Sequence, residues 1–147
     1  MDLCNFTLEM QSHVIISTLV GSGPSKTMLP YENPATGEIK PVLVSALVNH
    51  ILEDFSGRLA NPLNIIFPWM LSYRTTPSDY KFNRNILTFK HFLRELLKER
   101  SQGTQKADFQ DAGDIISILL EDEHYKDDHE KIIDEVIILF IAGMKTV

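Results

Sequence analysis

From His129 to its last residue the chain grows steadily more apolar, through Val136-Ile137-Ile138-Leu139-Phe140-Ile141-Ala142. Asp127 or Asp128 can cap a helix here, and Glu130 suits its first turn, where the backbone dipole favours an acid. A helix that is apolar all round has no face for water. It has to be surrounded, so the rest of the chain must supply elements that cover it. No cap, turn or polar tail follows the run. The expectation is therefore an internal fragment of a protein larger than these 147 residues.

The remaining segments read mostly as covering helices. From Leu3 to Leu19 the residues Leu3, Phe6, Met10, Val14 and Leu19 recur at near-helical intervals, although Val14-Ile15-Ile16 also suits a strand. Gly21 and Gly23-Pro24 stop that element. Residues 21–40 are rich in Gly and Pro and read as a connection. A second helix is expected from Pro41 to about Phe55, with Leu43, Val44, Leu47, Val48, Ile51 and Leu52 on one face and Gly57 as a stop. The stretch from Asn61 to Leu71 is apolar and split by Pro62 and Pro68, so it forms short turns and no regular helix. A long helix is expected from about Pro77 to Gln102, capped by Thr76 or Ser78. Its face is Phe82, Ile86, Phe89, Phe92 or Leu93, and Leu96. Its Lys and Arg residues gather towards the C-terminal end, and Gly103 ends it. Asp114 to Glu121 is a short buried helix, and Glu121 to Glu130 a charged linker. The class is mainly α, in a single partial domain spanning 1–147.

Bulk properties exclude several functions. The formal net charge is -6 at pH 7, which argues against the basic face that nucleic acid requires. No segment supplies the roughly 20 apolar residues of a spanning helix, and no secretory leader is visible at the start. The lone Cys4 cannot form an intrachain disulfide, reads as a small buried hydrophobe, and suits a reducing compartment. Asn5-Phe6-Thr7 is a formal glycosylation acceptor and no more.

Three motifs fail on inspection. Val20-Gly21-Ser22-Gly23-Pro24-Ser25-Lys26-Thr27 lacks the glycine that a phosphate loop needs before its lysine, and Pro24 removes a backbone N–H. His124 and His129 miss the spacing of a helical metal pair and sit among solvated acids. No serine or cysteine nucleophile signature is present. His13, His50 and His91 are isolated and receive no role.

Ala142-Gly143-Met144-Lys145-Thr146 is different, because a glycine and a threonine interrupt a strongly apolar helix. One reading is helix packing, with Gly and Ala permitting close approach and Thr bonding back to its own helix. The other is a notch for a flat cofactor, with a hydroxyl offered to a ligand in the gap. Together with Asp114-Ile115-Ile116-Ser117-Ile118-Leu119-Leu120, the charged linker, Ile133-Asp134-Glu135-Val136 and Phe140-Ile141, this segment resembles the cytochrome P-450 family. It is similar to that family's H helix, connecting loop and first half of the I helix, whose signature is Ala or Gly, Gly, any residue, Asp or Glu, Thr. Residues 3–21, 41–55 and 77–102 are similar in pattern to the E, F and G helices.

The resemblance implies a partial P-450 fold from the E to the I helix, lacking the C-terminal segment that carries the haem ligand. It implies haem as cofactor, with Ala142 and Gly143 over its distal face. Thr146 would hold iron-bound oxygen and help deliver protons. Ile138, Ile141 and Ala142 would face a small apolar substrate. Dioxygen and a reductase would be the other partners. Residues 61–76 resemble the F–G region, which lines substrate access and can touch a membrane. The parent protein would be intracellular, on the endoplasmic reticulum membrane, with no anchor in this chain. Two departures stand out. Lys145 occupies the position of the acid that assists proton relay, which reverses the charge there. The Glu-x-x-Arg motif and the cysteine loop are absent, and Cys4 sits in the wrong element to replace the thiolate. The isolated chain is expected to be inactive. The competing expectation is a non-catalytic helical module that binds a partner through exposed apolar faces.

Overall fold

The computed structural model describes residues 3–62, 66–67, 76–102, 114–125 and 128–145, apart from the side chains of 3–6, 8–9, 144 and 145. Among these residues are five α-helices, one 3-10 turn and a two-stranded antiparallel sheet. The helices are α1 (Leu3–Val20), α2 (Val44–Leu59), α3 (Pro77–Ser101), α4 (Ile115–Glu121) and α5 (His129–Lys145). The strands are β1 (Met28–Glu32) and β2 (Ile39–Leu43). The mainly α expectation therefore holds. The chain divides into two compact units, Met1–Thr27 with Lys90–Val147, and Met28–Phe89. Helix α3 belongs to the second unit by its first half and to the first unit by its last.

In the first unit α5 lies against α1 and α4, and α4 against α1. The core contributions are Ile16, Leu19 and Val20 of α1, Leu93, Leu96 and Leu97 of α3, Ile116 of α4, and Ile132, Ile133, Val136 and Phe140 of α5. Of the apolar residues at helical spacing in α1, Leu19 is buried but Met10 and Val14 are 54% and 56% exposed, while Ser12 and Ile16 are buried. The difference has a simple cause. Helix α1 carries apolar residues around its whole circumference, so spacing alone does not select a face. Helix α1 ends at Gly21, whose φ of 90° closes the last turn with its N–H on Ser17 O at 2.9 Å.

One buried ion pair ties three helix ends of this unit together. Arg100, near the end of α3, has its side chain 7% exposed, and Asp114 has 2%. Arg100 Nη1 donates to Asp114 Oδ1 at 2.5 Å and to Ser117 Oγ at 3.0 Å, and Nη2 donates to Val20 O at 2.6 Å. Asp114 is also the N-cap of α4, accepting from Ser117 N at 2.8 Å. A guanidinium suits this position because its fixed fork reaches a carboxylate, a hydroxyl and a carbonyl at once.

The second unit contains the principal correction to the sequence reading. Residues 21–40 were expected as connection and Pro41 as a helix start. Instead Met28–Glu32 pairs with Ile39–Leu43, Pro30 opposite Pro41, and α2 begins at Val44. Prolines usually argue against strands. Here they do not, because of the register. Asn33 N bonds Glu38 O, so the pairs alternate from that point, and the Pro30–Pro41 pair falls where N–H groups point away from the partner strand. The turn is built by Asn33, whose Oδ1 accepts from Ala35 N at 2.9 Å and Thr36 N at 3.2 Å, and by Gly37 at φ 77°. Gly57, expected as a stop, lies inside α2.

Helix α2 lies against both strands, with Val44, Leu47 and Val48 buried. Tyr31 of β1 stacks on His50 of α2, ring centroids 4.5 Å apart. Helix α3 opens with a reciprocal cap: Asp79 Oδ2 accepts from Thr76 N at 2.8 Å, and Thr76 Oγ1 from Asp79 N at 3.2 Å. Asp79 also takes an ion pair from Arg58, which in turn lies over the Phe82 ring. Asn85, buried on α3, spans the backbone of Glu32, donating to its O at 2.8 Å and accepting from its N at 2.9 Å.

Candidate functional site

Helix α5 carries the candidate site, and its first half is held firmly. Asp128 is the cap, accepting from Lys131 N at 3.1 Å, which settles the choice between Asp127 and Asp128. Arg94 of α3 grips Glu130 at 2.5 and 3.0 Å, and Lys90 reaches Asp134 at 3.2 Å. The Arg94 hydrogen bond holds the Glu130 carboxyl below its ordinary range. Tyr125 OH donates to Glu135 at 3.4 Å, and that carboxylate, followed by burial, raises the phenol's pKa.

Further along, α5 has two distinct faces. Ile132, Ile133, Val136 and Phe140 are buried at helical spacing. Ile138, Ile141 and Ala142 fall on another stripe and are exposed, Ile138 to 58%. The sequence-named substrate positions thus share one open apolar face. Gly143 is different. The point a Cβ would occupy there lies 3.4 Å from Ile15 Cδ1 and 3.5 Å from Ile15 Cγ2. Its carbonyl accepts from Gln11 Nε2 at 3.3 Å. The glycine therefore faces α1, while its neighbour Ala142 is on the exposed side. Thr146 lies outside the described residues, as does the Lys145 side chain, so the proposed oxygen and proton groups have no geometry here.

Other sequence-named residues fall as follows. In the apolar 61–76 stretch, Ile66 and Phe67 are exposed, and Trp69 lies outside the described residues. His124 is exposed beside Asp122, and among the described residues no group of three His, Cys, Asp or Glu is placed to hold a metal. No helix of the described residues is long and apolar enough to cross a membrane. After Lys26 the chain enters β1 and not the helix that a phosphate loop opens.

Sequence reading missed Gln11, Ile15, Asn85 and the Arg100–Asp114 pair. A buried polar residue in a helix leaves little trace in hydrophobic spacing. Asn85 interrupts an otherwise regular face of α3, and that interruption was the available signal.

Compared with protein-family models, curated proteins and solved structures, the chain has no match.

Proposed function

We propose that this chain is part of a haem-dependent monooxygenase of the cytochrome P-450 type. The observation that carries the reading is the open apolar stripe of α5, Ile138, Ile141 and Ala142, leading into Ala142-Gly143-Met144-Lys145-Thr146. The stripe fits the face of a flat apolar group. Ala142 leaves it low, and Ile138 and Ile141 provide an apolar wall beside it. Gly143 packs against Ile15 of α1, so in this reading Ala142 carries the contact with the flat group. Haem, when bound, would supply the activation of dioxygen. The chain's own residues bind and orient. Ile138 and Ile141 hold an apolar substrate and exclude water. The Thr146 hydroxyl accepts and passes a hydrogen bond at Oγ1. Lys145 places an ammonium where the family has a carboxylate, so it cannot accept a proton while charged. A reductase would supply electrons, and Ile66 and Phe67 would contribute to contact with a membrane surface.

The axial thiolate has to come from sequence outside these residues, and that makes the reading testable. Sequencing the transcript past the Val147 codon is the decisive experiment. A frame that continues into a Glu-x-x-Arg helix and a glycine-rich loop with a cysteine supports the proposal. Expression of that longer product should then give the red-shifted ferrous carbonyl absorption of thiolate-ligated haem. A stop codon directly after Val147 overturns it. The same exposed stripe favours a second reading in that case, a non-catalytic module whose α5 face docks a partner helix.

A further inference from the structure

We infer that Gln11 is a positioning residue for the small-residue segment of α5, acting through the Gly143 carbonyl. The inference deepens the oxygenase reading and rests on it for what that segment does. Gln11 and Ile15 are one turn apart on α1 and so share a face. Both meet Gly143, Ile15 by its side-chain carbons and Gln11 by Nε2 at 3.3 Å from the carbonyl oxygen. Gly143 lies in the last turn of α5, where carbonyls commonly meet side-chain donors. Gln11 therefore ties the last turn of α5, the turn that displays Ala142, to α1. Ile15 packs against Gly143, where an added Cβ would meet it at ordinary van der Waals distance.

The requirement is specific. The residue must be long, must carry an N–H, and must not be an acceptor alone. Leucine at position 11 keeps the bulk and loses the donor. Lysine keeps a donor at similar reach.

The test is read by nuclear magnetic resonance on the isotopically labelled 147-residue chain, without haem. Wild type should show scalar coupling across the hydrogen bond between Gln11 Nε2 and the Gly143 carbonyl carbon. In Gln11→Leu that carbon alone should shift upfield, with the carbonyls of Ile132, Ile133 and Val136 unmoved. Gln11→Lys should restore it. Absence of the coupling in folded wild type overturns the inference, and needs no variant to fold. So does an equal shift of carbonyls all along α5 in Gln11→Leu, since that marks a general loosening. Because the carbonyl is read with no cofactor, failure here is distinct from failure of the transcript test.

Discussion

At the scale of single residues, two carboxylates near Arg58 respond to pH in opposite directions. Burial opposes ionisation of Asp79, but hydrogen bonds from Arg58 and Thr76 outweigh it and lower its pKa to about 2. Its contribution to stability is thus present above the ordinary carboxyl range and is lost as pH falls towards 2. Asp54 behaves the other way. Burial raises its pKa, Arg58 and His50 pull it down, and Glu53 pushes it up. Among the described residues its Oδ2 is buried with no hydrogen-bond partner. Its contribution is present at low pH and is lost as pH rises through its raised value. Asp79→Asn should therefore flatten the loss of stability between about pH 4 and pH 2. Asp54→Asn should raise the thermal midpoint at pH 7 and leave the acid limb in place. Melting curves of the two variants across pH check both outcomes. A buried ion pair gives a larger effect. Arg100→Met leaves the buried Asp114 carboxyl without its ion-pair partner, and should cost about 3–5 kcal/mol in denaturant unfolding.

At the scale of elements, the legibility of the sequence depended on what kind of signal each element carried. Helices α3 and α5 are readable because their caps, Thr76 with Asp79 and Asp128, are side-chain chemistry local in sequence. The short helix α4 is readable by its apolar run after Asp114. The hairpin is not. Its two prolines are acceptable only in the register that places Pro30 opposite Pro41, and register is a property of two segments together. The wrong face of α1 has the same character, since only its neighbours choose Ile16 over Val14. Asn85 also shows itself only through a partner, the Glu32 backbone. Asn85→Ala removes both of those bonds from a buried position and should cost about 1–3 kcal/mol. Hydrogen exchange at the Glu32 amide would locate the loss, which should exceed that at Val48.

At the scale of the whole chain, the faces of α5 were legible in part. Ile138, Ile141 and Ala142, named together from sequence, lie on one exposed stripe. The partition of Gly143 towards α1 was not legible, because an Ala-Gly pair serves packing and cofactor binding equally well in a string of letters. An exposed apolar stripe should also govern association. The chain is expected to self-associate in sedimentation as its concentration rises. The double substitution Ile138→Glu with Ile141→Glu should return it to monomer and leave helix content unchanged, because neither residue is buried. A loss of helix in that variant would contradict the placement of α5.

The hairpin's prolines bear on a different hazard. Pro30 and Pro41 stand at the pair whose amides would face outward, the donors that an incoming strand would need. Asn85 already occupies the outward groups of Glu32 on the same edge as Pro30. One margin of the little sheet is thus interrupted at Pro30 and Glu32 and the other at Pro41. An incoming strand would find no amide donor at Pro30 or Pro41, which disfavours recruitment of the little sheet into a larger one.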